Sequence, residues 1–306
     1  MRQSAATPPL RILTWNTWLQ PGPNPHAGKR VGPIGEKLSA CDRDLLLLQK
    51  VWAERDTLVG ALEPTFGWLS DEVNPAGWPR VHSGLLTASR VPLDLLGSID
   101  FKAAAGGERL ANKGAALWQG DWHGYTFQIA SVHLQGHDPV DTAEEARTEQ
   151  LSELRRLLDR HREHSVPQIV CGDFSIASGS FEHEDALEIL DAKDEGPFTG
   201  QIPHTSYPRG DEGLENDIGR DFVEAPETLD YILLRRVPTR PLVTIRRSVR
   251  RYREEWRAGF KTYQDLAYRY CLLGEITFER PAFEVVKVPV ADAVSPALRV
   301  AIDHVL

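Results

Sequence analysis

Leu45-Leu46-Leu47-Leu48-Gln49-Lys50-Val51-Trp52 is the stretch from which the fold is read. Four consecutive leucines predict a buried strand. That strand hands Gln49, Lys50 and an aromatic to the edge of a sheet. Other segments are built to meet it there: Trp15-Asn16, His133, Gly172-Asp173-Phe174-Ser175, Leu229-Asp230-Tyr231 and Asp303-His304. Each places polar residues at the end of an apolar run. Lys50 is the odd member, a cation among carboxylates and amides.

The 306 residues allow either two average domains or one large α/β domain. No internal repeat or clean linker divides them, so one domain is expected. The formal net charge is -9 and no long basic block is present, which makes nucleic acid a poor partner. Three cysteines, Cys41, Cys171 and Cys271, are odd in number, far apart and without CxxC spacing. That pattern excludes a disulfide scaffold and a structural zinc site. Cys171, in Ile169-Val170-Cys171, is expected in the core. No run approaches the ~20 apolar residues of a membrane span. No apolar signal core precedes Leu10, so a cytoplasmic location is expected.

Residues 1–9 read as a short disordered lead. Leu10 to Trp15 alternates as a strand, and residues 20–31 read as a loop. Helices are expected near 34–41 and 53–62, with a loop over 63–80 and a strand over 83–89. A strand pair is expected at 114–119 and 125–133, joined through Asp121-Trp122-His123-Gly124. Residues 142–163 carry a leucine stripe (Leu151, Leu154, Leu157, Leu158) and predict a helix, with Thr142 and Glu145 as a capping box. Strands follow at 168–171 and 228–234, separated by a Gly-, Pro- and acid-rich loop over 196–227. Residues 246–273 mix arginines with aromatics and are expected to be a helical insertion, either a solvated helix or a basic aromatic lid for an anionic ligand. Strands are expected again at 275–279 and 283–288.

Strand ends in α/β sheets converge on a cleft. A cleft holding Asn16, several aspartates and two histidines suits phosphoryl chemistry. A histidine can donate to a phosphate oxygen, and an aspartate can orient a histidine or a water. A carboxylate pair can hold Mg2+. His82, His123, His137, His161, His164, His183 and His204 show no ligand spacing and read as surface residues.

At these residues the chain resembles the endonuclease/exonuclease/phosphatase superfamily, with the DNase I-like fold, nearest to its sphingomyelinase-like and phospholipase C-like branches. Trp15-Asn16 is similar to the family's first-strand W-N motif. Gln49-Lys50-Val51-Trp52 stands where the family has Q-E-V and an aromatic. Ser83-Gly84-Leu85 through Ser89-Arg90-Val91-Pro92, Asn112-Lys113-Gly114, Ser131-Val132-His133-Leu134-Gln135, Gly172-Asp173-Phe174-Ser175, Leu229-Asp230-Tyr231 and Ile302-Asp303-His304 follow in family order. The resemblance implies a four-layer α/β sandwich, with two mixed β-sheets face to face and helices outside. It implies a phosphoric ester hydrolase acting on a phosphorylated or anionic small molecule or a lipid headgroup. His304 would be the general base or phosphate-contacting histidine, oriented by Asp230. Asp173 would position or deprotonate the attacking water, and His133 would donate to a phosphate oxygen. Asn16 and Asp303 would hold a metal if one binds. Asn16, Lys113 and Ser175 would contact the substrate.

Three departures gather at the phosphate centre. Lys50 stands at the family's metal-binding glutamate, Ser175 at its asparagine and Ile302 at its serine. A glutamate with Mg2+ and a lone ammonium bring the same net charge, so Lys50 can supply in covalent form what a metal supplies. It would pair with Asp303 or hold an anion. It also repels a cation, so no tightly bound cofactor is expected and the family's Mg2+ is in doubt. Two readings of Lys50 stand side by side. One is a catalytic residue in a metal-free or repurposed enzyme, working by hydrolysis or by an acid/base elimination or cyclisation. The other marks an inactive site in a binding or regulatory protein.

Overall fold

The computed structural model describes residues 7–21, 26–77, 80–136, 142–206, 226–236 and 241–279. In chain order the elements are β1 (Leu10–Leu19), α1 (Ala27–Ser39), β2 (Leu45–Val51), α2 (Arg55–Leu62), β3 (Trp68–Leu69), β4 (Leu86–Ser89) and β5 (Leu93–Asp100). A 3-10 turn at Gly106–Leu110 leads to β6 (Gly114–Trp122), β7 (Tyr125–His133), α3 (Ala143–Arg160) and β8 (Gln168–Asp173). Then come α4 (Phe181–Leu190), β9 (Ala192–Lys193), β10 (Phe198–Thr199) and β11 (Asp230–Arg235). The last are β12 (Leu242–Arg250), β13 (Arg253–Ala258), β14 (Lys261–Asp265) and β15 (Cys271–Glu279).

Two mixed sheets carry the fold. One runs β10-β12-β15-β1-β2-β4-β3 and the other β5-β6-β7-β8-β11-β9. The four leucines of β2 show why the sheets stack. Leu45 and Leu47 point inward and share a core with Ala116, Trp118, Ile129, Ile169, Cys171 and Ile232 of the opposite sheet. Leu46 and Leu48 point the other way, into Ile34 and Leu38 of α1 and Leu58 and Leu62 of α2. All four leucines are buried, and each contributes on the order of 1.5–3 kcal/mol. Beyond the second sheet, Leu117, Ala130, Val132 and Val170 pack on the leucine stripe of α3. The layers are therefore helix, sheet, sheet and helix, the four-layer α/β sandwich. Cys171 is buried in the middle layer, and Cys41 and Cys271 are also buried and free.

Several expectations change. Helix α1 starts at Ala27, well before 34. Its buried Ala27, Arg30, Val31, Ile34 and Leu38 form one helical face that carries the helix through Pro33. No helix occupies 246–273. Tyr252, Trp256 and Phe260 fall four apart, which mimics a helical stripe, but β12 alternates exposed and buried through Ile245. Gly259, at φ 58, turns β13 into β14. This segment is the end of β12, a two-stranded hairpin and the start of β15. Thr142 makes no side-chain cap on α3, so the capping box does not form. Its ψ of 1 departs from the extended backbone that capping needs. Residues 7–9 are not a free lead, because the Trp122 indole donates to the Pro8 carbonyl at 2.8 Å. Residues 1–6, the expected strand at 283–288, Asp303 and His304 lie outside the described residues. Among the described residues no helix is long and apolar enough to cross a membrane.

Candidate active site

The ends of β1, β2, β7, β8 and β11 deliver the site. Parallel pairing puts Asn16 of β1 beside Gln49 of β2, and His133 of β7 beside Asp173 of β8. Antiparallel pairing sets Asp230 directly opposite Asp173. Near their ends β1 and β2 break register between Asn16 and Leu19. Trp18 and Lys50 there take the left-handed conformation, with φ of 52 and 55. Bulky residues seldom adopt it, and such bulges re-aim side chains beside functional clefts. The kink at Lys50 lets its ammonium donate to the Tyr268 hydroxyl at 2.8 Å.

Asp173 is the hub. Asn16 Nδ2 donates to its Oδ2 at 2.6 Å, and the Ser175 N–H and hydroxyl both donate to its Oδ1 at 2.9 Å. Arg269 Nη2 lies 3.9 Å from Oδ1. Burial alone would raise the Asp173 carboxyl. Arg269, Lys50 and the Asn16 hydrogen bond outweigh it and hold the group well below the usual carboxylate range. Ser175 sits at φ 52, a backbone that also suits asparagine, the family's residue here.

Asp230 behaves in the opposite way. Neither of its oxygens makes a short hydrogen bond. Burial, and then repulsion from Asp173, pushes its carboxyl up to about 7, although the Arg269 charge and the Thr205 hydroxyl favour its ionised form. The folded chain thus keeps a proton that the unfolded chain releases near 3.8. Its contribution to stability is greatest below that lower value and is lost as pH rises to about 7. Asp230→Asn is neutral at every pH, so it should gain on the native chain between pH 4 and 7.5, by on the order of a few kcal/mol. Thermal unfolding of both proteins across that range checks it, and a gap independent of pH would refute it.

His133 is buried, packs near Trp52 with ring centroids 5.6 Å apart, and has no partner for Nδ1. Burial, then the nearby Lys113 charge, lowers its pKa well below the ordinary value, so the ring is neutral. Lys113 is buried and largely engaged. Its ammonium donates to the Leu134 carbonyl at 2.8 Å and pairs with Glu108 at 2.7 Å. Burial would raise the Glu108 carboxyl, but Lys113 and Lys50 keep it low. For Lys50, burial is outweighed by Tyr268, Glu108 and Asp173, and its pKa is raised. Lys50 is therefore a firm cation.

Asn16, Lys50, Lys113, His133, Asp173, Ser175 and Asp230 thus form one network. Among the described residues the partner of Lys50 is Tyr268; Asp303, its expected partner, and His304 lie outside them. Three members escaped the reading of the sequence: Glu108, Tyr268 and Arg269. Of these only Tyr268 carried a signal, as one aromatic in a basic aromatic segment. His82 and His183 are buried, unlike the surface positions expected. His82 accepts from the Gly84 N–H at 3.2 Å, and His183 stacks on Tyr231.

Of the two residues expected to hold a Mg2+ ion, Asn16 is engaged with Asp173, and Asp303 lies outside the described residues. No three His, Cys, Asp or Glu side chains among them stand close enough to hold one, and an ammonium stands beside the strongest carboxylate.

A family model described as "Endonuclease/Exonuclease/phosphatase family" matches residues 13–251. The chain belongs to that family. Among family relatives, it is 25% identical to sphingomyelinase C of Listeria ivanovii, over 77% of this chain and 71% of that protein. It is 26% identical to the inositol phosphosphingolipids phospholipase C of Schizosaccharomyces pombe, over 58% of this chain, and spans 43% of that longer protein. Solved structures show the same fold. Sphingomyelinase C from Streptomyces griseocarneus superposes with a TM-score of 0.72 at 21% identity, covering 88% of this chain and 99% of that one. A beta toxin from Staphylococcus aureus with bound magnesium ions gives 0.73 at 17% identity, covering 87% and 99%.

Proposed function

We propose that this chain hydrolyses a phosphodiester at a lipid headgroup, of the phosphosphingolipid type, and that Lys50 takes the place of the family's metal-binding glutamate so that no metal is required. One observation carries the reading. The Lys50 ammonium reaches the Tyr268 hydroxyl, which Asn16 also contacts at 3.3 Å, while Asn16 holds Asp173. A cation fixed there offsets phosphoryl charge without a divalent ion. Asp173, firmly anionic, suits holding the attacking water. Asp230, close to neutrality in its proton affinity, suits exchanging a proton. The water oxygen bonds to phosphorus and the P–O bond to the lipid alcohol breaks. The proton released by the water passes to the departing oxygen.

A lipid surface also accounts for the β13–β14 hairpin. Phe260 at its tip is fully exposed, followed by Lys261 and preceded by the exposed Arg257. The stacked pair Trp256 and Tyr263, with ring centroids 4.3 Å apart, stiffens its base. Tyr268, the partner of Lys50, follows β14 by a short turn, so the hairpin leads directly into this cleft residue. Phe260→Ala should weaken binding to sphingomyelin-containing vesicles about tenfold, since a phenylalanine leaving water is worth roughly 1.5–3 kcal/mol. Cleavage of a soluble diester should be unchanged. Equal vesicle binding in a sedimentation assay would remove the hairpin from the reading.

The function is tested by incubating the chain with sphingomyelin vesicles in EDTA and measuring released phosphorylated headgroup. Release in EDTA is expected. Turnover only with Mg2+ would overturn metal independence. Vesicle binding with no turnover in either buffer would make the chain a binding protein.

A further inference from the structure

We infer that Lys50, Tyr268 and Arg269 form a cradle for the oxygens of a phosphodiester anion, with Arg269 as its recognising fork. This rests on the proposed reading of Lys50 as a covalent positive charge. Arg269 is 7% exposed, and both Nε and Nη1 lack a hydrogen-bond partner. Nη2 approaches Asp173 only to 3.9 Å, beyond a hydrogen bond. A buried guanidinium normally uses its planar set of N–H donors, and bare ones are costly. The adjacent orphaned atoms point to one missing occupant. His133 Nδ1 is also unpartnered, and both Arg269 and His133 neighbour Asp173.

Tyr268 organises the two cations. Lys50 Nζ lies 5.2 Å and Arg269 Cζ 5.4 Å from its ring centroid. Its hydroxyl oxygen accepts from Lys50 at 2.8 Å and Asn16 at 3.3 Å. The Arg269 side chain hydrogen-bonds to it as well; with the oxygen taken up as an acceptor, its own proton is left to donate outward. The cradle thus offers a planar fork, an ammonium and a hydroxyl donor. Below pH 7, where Asp230 holds its proton, Lys50 and Arg269 against Asp173, with Glu108 matched by Lys113, leave one positive charge. A phosphodiester brings one negative charge. The fork reads two phosphoryl oxygens at once, which a point charge cannot do.

The experiment is calorimetric titration of the full chain with dimethyl phosphate in EDTA, beside Arg269→Gln, Arg269→Lys and Tyr268→Phe. Native chain should bind. Arg269→Gln should weaken binding about tenfold or more, as expected for losing hydrogen bonds to a charged group. Arg269→Lys should recover only part of it, and Tyr268→Phe should weaken binding severalfold. Circular dichroism of each variant reports folding. If Arg269→Gln does not fold, Tyr268→Phe decides: unchanged affinity overturns the cradle. Native binding that requires Mg2+ also overturns it. Headgroup release from the same samples separates the two readings. Release in EDTA that survives Arg269→Gln sinks the cradle and leaves the proposed function. Arg269-dependent binding without release sinks the function and leaves the cradle.

Discussion

Lys50→Glu is expected to bind Mg2+ where the native chain does not, and to lose turnover in EDTA by about a hundredfold or more. The substitution changes the local charge by two units beside Asp173, which is already anionic, and within the field of Glu108. Without a metal, three carboxylates then repel one another in a buried site, and the fold is weakened. A divalent cation relieves that repulsion. At a Mg2+ concentration of about 100 times its dissociation constant, binding adds about 2.7 kcal/mol. For a chain of this size that raises Tm by roughly 4 °C. The native chain, with a firm ammonium at this position, should show no such rise. The loss in EDTA follows because a donor to phosphoryl oxygen becomes a repelling group. Lys50→Met is the control. It should lose turnover as well, since the ammonium is gone, but gain no Mg2+ response. Thermal melts with and without Mg2+ and headgroup release in EDTA read these outcomes. Full turnover of Lys50→Glu in EDTA would mean that residue 50 stands away from the phosphate.

Gly172→Ala should be among the most damaging single methyls in the second sheet. Gly172 pairs with Val132 across β7 and β8 and sits at φ 150. A Cβ built there would lie 2.0 Å from the Val132 carbonyl oxygen. The obstacle is backbone, so no rotamer change relieves it. The two strands must separate at the residues next to His133 and Asp173, which are themselves register partners. A cost of about 3 kcal/mol or more is expected, lowering Tm by roughly 5 °C or more. Gly124→Ala is the comparison. Gly124 has φ 85 in the β6–β7 turn, but nothing lies within 4 Å of the place a methyl would take, so it should cost only about 1 kcal/mol. Similar melting temperatures for the two variants would show that β7 and β8 yield more easily than their spacing implies.

Much of this arrangement was legible because it is local. The four leucines announce a strand covered on both sides, and Gly172-Asp173 ends another where a side chain would collide with the neighbouring strand. His133 and Asp230 follow apolar runs in the same way. Lys50 stood out as an anomaly, but its partner did not. Tyr268 and Arg269 come 218 and 219 positions later in a stretch rich in arginine and aromatics. There, four-residue spacing imitates a helix. Nothing local distinguishes Arg269, buried with bare donors, from exposed Arg257. Glu108 lies in a short 3-10 turn without a motif, and its pairing with Lys113 depends on how β6 leaves that turn.

The position of β15 has a consequence for synthesis. It is the last described strand, yet it lies between β12 and β1 near the middle of its sheet. The Trp15 indole, in the first strand, donates to the Arg269 carbonyl across 254 positions of sequence. While the chain is still emerging from the ribosome, β1 therefore has an open edge and the cleft lacks its arginine. Contacts that close over so long a stretch form late and slowly, and an unpaired edge is a template for wrong partners. The candidate site is among the last parts of the protein to exist, and a growing chain holding only the first sheet strands should depend on chaperones until β15 arrives.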